Sequence, residues 1–288
     1  MDLSICFVTL NTLEYLEPLL ASIERYTNGL QYEAIVVDNG STDGTVEWVQ
    51  HNHPEITLID NRVNSGFTRG NNLAMALAKG DFLLLLNPDT LLTEDCFGPQ
   101  ITYLRENPEV GISIPKVLNA DGSFQQQSRR GDARPVEVFG YFLKLGKLFP
   151  NNRKLNGYLQ SWLPEGEISE VKAVSGSCMF IRREVYQQIG GLDEQFFAYQ
   201  EDSDYCMRAR QAGWKVMYAP LSSIIHYGGE GGSKTQPYYA IFQWHRSYYL
   251  YYRKHFAREY FFLFNWFYYI VMIGKLLFAL LKRFLRGK

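Results

Sequence analysis

The chain has 288 residues, and 29 Lys and Arg against 30 Asp and Glu leave a formal net charge of −1. That length suits one large domain or a domain with an appendage, and the near-neutral balance argues against a nucleic-acid binder, whose footprint is basic. Cys6, Cys96, Cys178 and Cys206 stand without CxxC spacing, which supports neither a zinc ribbon nor a disulfide framework and suits a reducing compartment.

In chain order, MDLSICFVTL lacks the basic region and long apolar core of a signal peptide and reads as a first strand, so a cytosol-facing protein is expected. Leu13, Leu16, Leu19, Leu20 and Ile23 follow at helical spacing. Further strands are predicted at EAIVVD (33–38), ITLID (56–60), FLLLLN (82–87) and VGISI (110–114), with a helix through Leu73 and Leu77. Alternating strand and helix predicts an α/β fold with a mostly parallel central sheet flanked by helices. Neither a Walker A sequence nor GxGxxG is present, which disfavours an ATPase or a common dinucleotide-binding domain.

Residues 116–170 are irregular, with a helical patch near 135–148, and read as an insertion over the sheet edge. Strands resume in VKAVSGSCMFIRR (171–183), an acidic helix follows, and KVMYAP (215–220) and SSIIHYGG (222–229) read as two more strands. Residues 260–286 are apolar and aromatic, with Lys282, Arg283, Arg286 and Lys288 towards the end of the chain. The stretch is nearly long enough to span a bilayer, but Asn265 and Lys275 interrupt it, and a helix lying in the membrane interface is expected. The other reading is a terminal helix packed on the domain or on a second copy. The division is a domain over 1–256 and an apolar helical tail over 257–288.

Polar constellations punctuate this frame. In VVDNGSTDGT (36–45), Asp38 ends a strand and can accept from a nucleobase N–H or a ribose hydroxyl, while Thr42 or Asp43 can cap the next helix. In NRVNSGFTRGNN (61–72), Gly66 and Gly70 allow close backbone approach, Asn64, Asn71 and Asn72 supply polar groups, and Arg69 suits a diphosphate. In LLLLNPD (83–89), Pro88 stops a buried strand, leaving Asp89 at the edge where ligands of open α/β sheets bind, as a candidate cation ligand. In FFAYQEDSDYCMRARQAGW (196–214), Glu201, Asp202 and Asp204 cluster at a helix start, where a carboxylate can serve as general base. In IIHYGGEGGSK (224–234), His226 ends a strand before a glycine-rich loop and can complete a metal site.

The series VTLN (8–11), VVDNGSTDGT, NSGFTRGNN, LLLLNPD, SGSCMFIRR (175–183), EDSD and the His–Gly-rich loop resembles a family-2 glycosyltransferase of the GT-A fold, in its rhamnosyltransferase-like branch. The resemblance covers Ser4 to about Lys254. It implies a Rossmann-like domain that transfers a sugar, with inversion, from a nucleotide-diphosphate donor to a glycan or lipid-linked glycan hydroxyl in cell-surface polysaccharide synthesis. Thr9, Asn11 and Asp38 match nucleoside-holding positions; the Asn64–Asn72 loop borders ribose and diphosphate; and Gly176 is grouped with the donor-binding positions. Asn87-Pro88-Asp89 stands in place of the metal-binding DxD motif. With Asn87 in the first position, Asp89 is the surer ligand of Mn2+ or Mg2+, completed by His226. Asp202 matches the catalytic base, with Glu201 beside it in the acceptor region. The resemblance favours dTDP-rhamnose as donor, then a UDP-hexose or UDP-N-acetylhexosamine. A peripheral position on the cytoplasmic face of the plasma membrane fits the tail, and a homo-oligomer is compatible. The rivals from other classes are a nucleotidyltransferase and a non-catalytic nucleotide-sugar-binding scaffold.

Overall fold

A computed structural model describes residues 1–149, 151–230 and 232–286. Its first part alternates β1 (Leu3–Thr9), α1 (Leu13–Tyr26), β2 (Tyr32–Asp38), α2 (Thr45–Asn52), β3 (Thr57–Asp60), α3 (Phe67–Leu77) and β4 (Phe82–Leu86). The strand β1 pairs in parallel with β2 and β4, and β2 with β3, as the alternation predicts. Every residue of β4 is buried, which explains its unbroken leucines: both of its faces are covered. The strand stops at Leu86, just before Asn87 and Pro88.

The chain continues through β5 (Thr90–Leu91), α4 (Phe97–Glu106), β6 (Val110–Leu118), β7 (Arg129–Arg130), α5 (Pro135–Phe142) and α6 (Leu145–Leu148). Then come β8 (Ser169–Glu170), β9 (Ala173–Val174), β10 (Cys178–Arg182), α7 (Arg183–Ile189), α8 (Glu201–Gln211) and β11 (Lys215–His226). The last elements are α9 (Gly232–Thr235), α10 (Pro237–His255) and α11 (Phe262–Arg286). The main sheet has the order β3-β2-β1-β4-β10-β6-β11-β5, with β8 alongside β11. Because β10 runs antiparallel to both β4 and β6, and β6 is parallel to β11, the strands β3, β2, β1, β4, β6 and β11 point the same way. This is the expected mostly parallel sheet, with β10 reversed in its middle.

KVMYAP and SSIIHYGG are not separate strands. They form the single strand β11, whose register shifts between Tyr218 and Ser223, around Pro220. A proline cannot donate to the ladder, so an irregularity in the strand accommodates it. The helical patch of the insertion divides into α5 and α6, and it packs on α10 as well as bordering the sheet. The Tyr158 and Tyr248 hydroxyls share a hydrogen bond, and the Phe142 and Trp244 rings meet edge-on at 5.9 Å.

One core lies on the sheet; a second, largely aromatic, joins α8, α10 and α11 through Phe196, Met207, Tyr251, Tyr252, Phe256 and Tyr268. Asn265, which breaks the apolar pattern of the tail, ties α11 to its neighbour. Its Oδ1 accepts from the Tyr252 hydroxyl, and its Nδ2 donates to the Ala257 carbonyl at 2.9 Å. The Tyr268 and Tyr252 rings meet at a tilt with centroids 4.5 Å apart, while Trp266, Phe267, Ile270 and Leu277 stay exposed. Among the described residues α11 is long and apolar enough to cross a membrane, and only 6% of its most apolar window is buried.

Candidate active site

A cavity of about 500 Å³ opens beyond the carboxyl end of β4, between the β1 and β2 loops on one side and α8, α10 and the insertion on the other. The first loops build its floor from hydrogen bonds. Asp38 is fully buried, and its carboxylate accepts from Thr9 Oγ1 at 2.9 Å, from the Gly40 and Ser41 N–H groups at 2.9 and 2.8 Å, and from the Ser41 hydroxyl. Asn11, at φ 52°, accepts from the Thr42 N–H at 2.7 Å. In this structure Thr9, Asn11 and Asp38 therefore organise their own turn and do not line the cavity. Asn39 reaches it instead: it accepts from Asn61 and Ser65 at 3.0 Å each and donates to the Gly66 carbonyl at 3.1 Å, joining the β2 and β3 loops. Asp43, one of the two expected caps, does cap, from the residue before the N-cap. It accepts from Thr45 N at 3.2 Å and from Leu13 N at 3.0 Å, while Gly44, at φ 87°, occupies the N-cap of α2.

The Asn64–Asn72 loop is divided by the start of α3. Asn64 and Phe67 line the cavity, and Asn64 Oδ1 accepts from the Gly66 N–H at 3.1 Å. Gly66 has φ 90°, and a Cβ there would lie 2.5 Å from the Phe197 carbonyl oxygen, so only glycine fits. Beyond Phe67 the side chains rotate around the helix and leave the cavity. Arg69 is exposed; Asn71 donates to the Phe67 carbonyl at 3.0 Å; Asn72 exchanges hydrogen bonds with the Leu192 backbone at 2.9 and 2.8 Å. None of these three lines the cavity.

At the end of β4, Asn87, Asp89 and His226 converge. The His226 Nδ1–Gln125 Oε1 distance is 2.8 Å, and Nε2 lies 3.3 Å from Asp89 Oδ1 and 3.1 Å from Asn87 Nδ2. Gln125 fixes the Nδ1 side of the ring and leaves Nε2 facing the carboxylate, where either a proton on Nε2 or a cation balances the Asp89 charge. Asn87 Oδ1 is buried and has no partner. Burial works to raise the Asp89 carboxyl, but the His226 ring and the Glu230 N–H outweigh it and hold the group below its ordinary value. A carboxylate oxygen, an amide oxygen and an imidazole nitrogen form a donor set that fits Mn2+ or Mg2+. Glu24, His53 and Glu55 form another surface group with ligand atoms within 4.8 Å of one another, but none of them lines the cavity. Gly231 of the glycine-rich loop lies outside the described residues.

Across the cavity, α8 begins with Glu201 and Asp202, both buried and both lining it. Asp202 Oδ1 accepts from Ser203 N at 2.6 Å, and Oδ2 accepts from Gly176 N at 3.2 Å and from Arg130 Nη2. Gly176 thus serves the Asp202 carboxylate while lining the cavity. Glu201 differs: its Oε2 is buried without a partner, and burial, then the neighbouring Asp202, push its carboxyl up to about 8. Asp204 turns away, holding Arg208, Lys254 and His255 at 2.9, 2.6 and 2.7 Å.

The family model described as glycosyl transferase family 2 matches residues 4–190, and a second, described as glycosyl transferase family group 2, matches residues 154–286. The chain is a family-2 glycosyltransferase. It is 28% identical over 236 residues to the N-acetylglucosaminyl-diphospho-decaprenol L-rhamnosyltransferase of Mycobacterium tuberculosis, covering 78% of this chain and 76% of that protein. It is 26% identical over 242 residues to rhamnosyltransferase WbbL of Escherichia coli, covering 81% and 85%. These relatives place the glycosyltransferase in the rhamnosyltransferase-like branch. Its GT-A fold is shared with S. aureus TarS in complex with UDP, at TM-score 0.55 and 16% identity over 87% of this chain and 65% of that one. The mannosyltransferase PcManGT of Pyrobaculum calidifontis, solved with GDP-Man and Mn2+, aligns at TM-score 0.55 and 17% identity over 85% and 62%. The chain thus spans a little under two thirds of these two solved structures.

Asn39, Gln125 and Arg130 of this glycosyltransferase had no clear signal in the sequence. Asn39 sits inside a motif that drew attention to Asp38. Gln125 and Arg130 belong to the irregular insertion, where QQQSRR shows neither helical nor strand periodicity.

Proposed function

We propose that this glycosyltransferase carries out a single inverting displacement, moving rhamnose from dTDP-rhamnose to a hydroxyl of a glycan or lipid-linked glycan in cell-surface polysaccharide synthesis. The observation that carries this reading is one cavity bordered by the Asn87–Asp89–His226 group on one side and by Glu201 and Asp202 on the other. The rhamnosyltransferases among the relatives support the choice of sugar.

Asp202 acts on the acceptor hydroxyl. As its oxygen bonds to the anomeric carbon, the bond from that carbon to the nucleotide diphosphate breaks, and the hydroxyl proton passes to Asp202. Its carboxylate is oriented for this by Arg130, Gly176 N–H and Ser203 N–H. Glu201, protonated until about pH 8, donates a hydrogen bond to an acceptor oxygen. Asn39 and Asn64 face the donor, on the frame set by Thr9, Asn11 and Asp38. Asp89 and His226 would hold a divalent cation, with Asn87 beside them, and that cation would offset charge gathering on the leaving diphosphate. Residues 257–288 form a membrane-associating tail: the outer face of α11 lies in the interface and sets the enzyme on the cytoplasmic surface of the membrane.

The test is Asp202→Asn. Transfer should fall by about 100-fold or more, while nucleotide-sugar affinity stays as in wild type. Wild-type turnover in this variant would remove Asp202 from its role.

A further inference from the structure

Between Glu137 and Glu165 the insertion carries no acidic residue, yet it carries Lys144, Lys147, Arg153 and Lys154. All four cations are exposed. Large apolar side chains stand among them: Leu143, Leu148 and Phe149 are 63%, 71% and 53% exposed. Apolar groups left in water contribute nothing to folding, and several together beside charge of one sign mark a surface that meets a partner. Trp162 is exposed too, with the Arg153 guanidinium 5.7 Å from its ring centroid, a pairing suited to a boundary between water and hydrocarbon. Lys144 and Lys147 also border a cavity of about 510 Å³ whose lining includes no carboxylate.

Charge and position indicate the partner. A second copy seated on the same patch would bring cations against cations, since closed dimers pair identical surfaces. An anionic bilayer satisfies the charge and the apolar groups together. The patch is also continuous with the outer face of α11. Tyr268 of α11 meets Phe139 of α5 at 5.8 Å, and further along both helices Lys275 Nζ lies 3.0 Å from the Phe142 ring centroid. The two contacts come in the same order on each helix. α5 therefore leads Leu143 and α6 towards the half of α11 that holds Leu277, Leu281 and Leu285, all exposed.

We propose that the insertion is a second membrane-docking surface, which seats on an anionic bilayer. Lys144, Lys147, Arg153 and Lys154 meet lipid phosphates, while Leu143, Leu148 and Phe149 enter the boundary of the acyl chains. The inference rests on the reading of α11 as a membrane-associating tail and adds a separate point of contact. One small patch binds a membrane marginally, and two linked patches hold it. A lone helix in the interface also lets the domain roll about the helix axis. The second contact stops that roll and fixes how the cavity faces the membrane.

All four native cysteines are buried, so Leu148→Cys in the full chain can be labelled selectively with an environment-sensitive nitrobenzoxadiazole dye. Ile270→Cys, labelled in the same way, reports on the outer face of α11. The probes are vesicles of phosphatidylcholine alone and of phosphatidylcholine with phosphatidylglycerol. The dye at 148 should brighten and shift to the blue with the anionic vesicles and stay unchanged with the neutral ones. Lys144→Gln with Lys147→Gln should weaken vesicle binding about 20-fold, at about 5-fold for each charge near the surface. Lys144→Arg with Lys147→Arg should bind as wild type, and nucleotide-sugar affinity should be equal in all of these proteins. A response at 270 with none at 148 overturns this inference and leaves the tail as the contact. No response at either position overturns the tail reading as well. An equal response to both vesicles overturns the role of the cations. A shift at 148 that grows with protein concentration in the absence of lipid overturns the proposal in favour of an interface between copies.

Discussion

Arg130 Nη2 donates to Asp202 Oδ2, tying two side chains 72 residues apart in sequence that are only 11% and 9% exposed. The insertion thereby supports the acidic helix at the point where chemistry is proposed. Removing one partner of a buried pair strands the other, at a cost of about 3–5 kcal/mol. Arg130→Met should lower unfolding free energy by that order in urea titrations and reduce kcat more than it raises donor KM. The loss should shrink in an Asp202→Asn background, because the two residues act as a unit. Equal losses in both backgrounds would show that Arg130 stabilises the fold independently of Asp202.

Gln125 sets the His226 ring by taking its Nδ1 side at 2.8 Å. Gln125→Leu keeps the volume and removes the acceptor. Mn2+ affinity should drop about 10–100-fold, as when other partners of ligating histidines are lost. Affinity for Mn2+ equal to wild type would detach Gln125 and His226 from the cation site.

Glu201 predicts a pH dependence. Its carboxyl is raised to about 8 from an ordinary 4.5, by burial first and then by Asp202. A raised acid binds its proton more tightly in the folded state. Its contribution to stability is therefore complete below 4.5 and is lost as pH rises through about 8. Between about pH 5 and about pH 9, wild-type Tm should fall more than that of Glu201→Gln, which has no proton to lose. Parallel Tm curves would mean that Glu201 ionises normally.

The outer face of α11 can be tested without disturbing its packing, since Trp266, Ile270 and Leu277 are exposed while Tyr268 holds the helix to the domain. Glutamate at those three positions should release the protein from sedimenting anionic vesicles and leave nucleotide-sugar affinity unchanged. Continued co-sedimentation would place membrane attachment elsewhere.

What the sequence revealed of this architecture was what local patterning controls. The leucines of β4 announce a strand covered on both faces, and Pro88 marks its end next to Asp89. The β1–β4 alternation is likewise local. The reversed strand β10 is not, because its direction depends on pairing Cys178 with Leu86, 92 positions apart in the chain. The long strand β11 is hidden by Pro220, which reads as a terminator unless a register shift absorbs it. At the site, the motifs located loops that border the cavity but not which side chains face inward. Asp38 is occupied by its own turn, Asn39 takes the cavity, and the helical start at Phe67 carries Arg69, Asn71 and Asn72 away. Arg130 and Gln125 act through partners distant in sequence, which no spacing rule reaches. The interrupting residues of the tail both face inward: Asn265 joins Tyr268 in tying α11 to α10, and Lys275 lies over the Phe142 and Trp244 rings.

Asp89 and His226 are proposed to form a cation-assisted nucleotide-sugar site. Its most direct test is calorimetric titration of the wild-type chain and Asp89→Ala with dTDP-rhamnose, UDP-glucose, UDP-galactose and UDP-N-acetylglucosamine, each with and without Mn2+. Wild type should bind dTDP-rhamnose most tightly, with affinity enhanced by Mn2+, and Asp89→Ala should lose that enhancement. Binding that ignores both Mn2+ and the Asp89 substitution would remove the cation, and Asp89 with it, from donor binding.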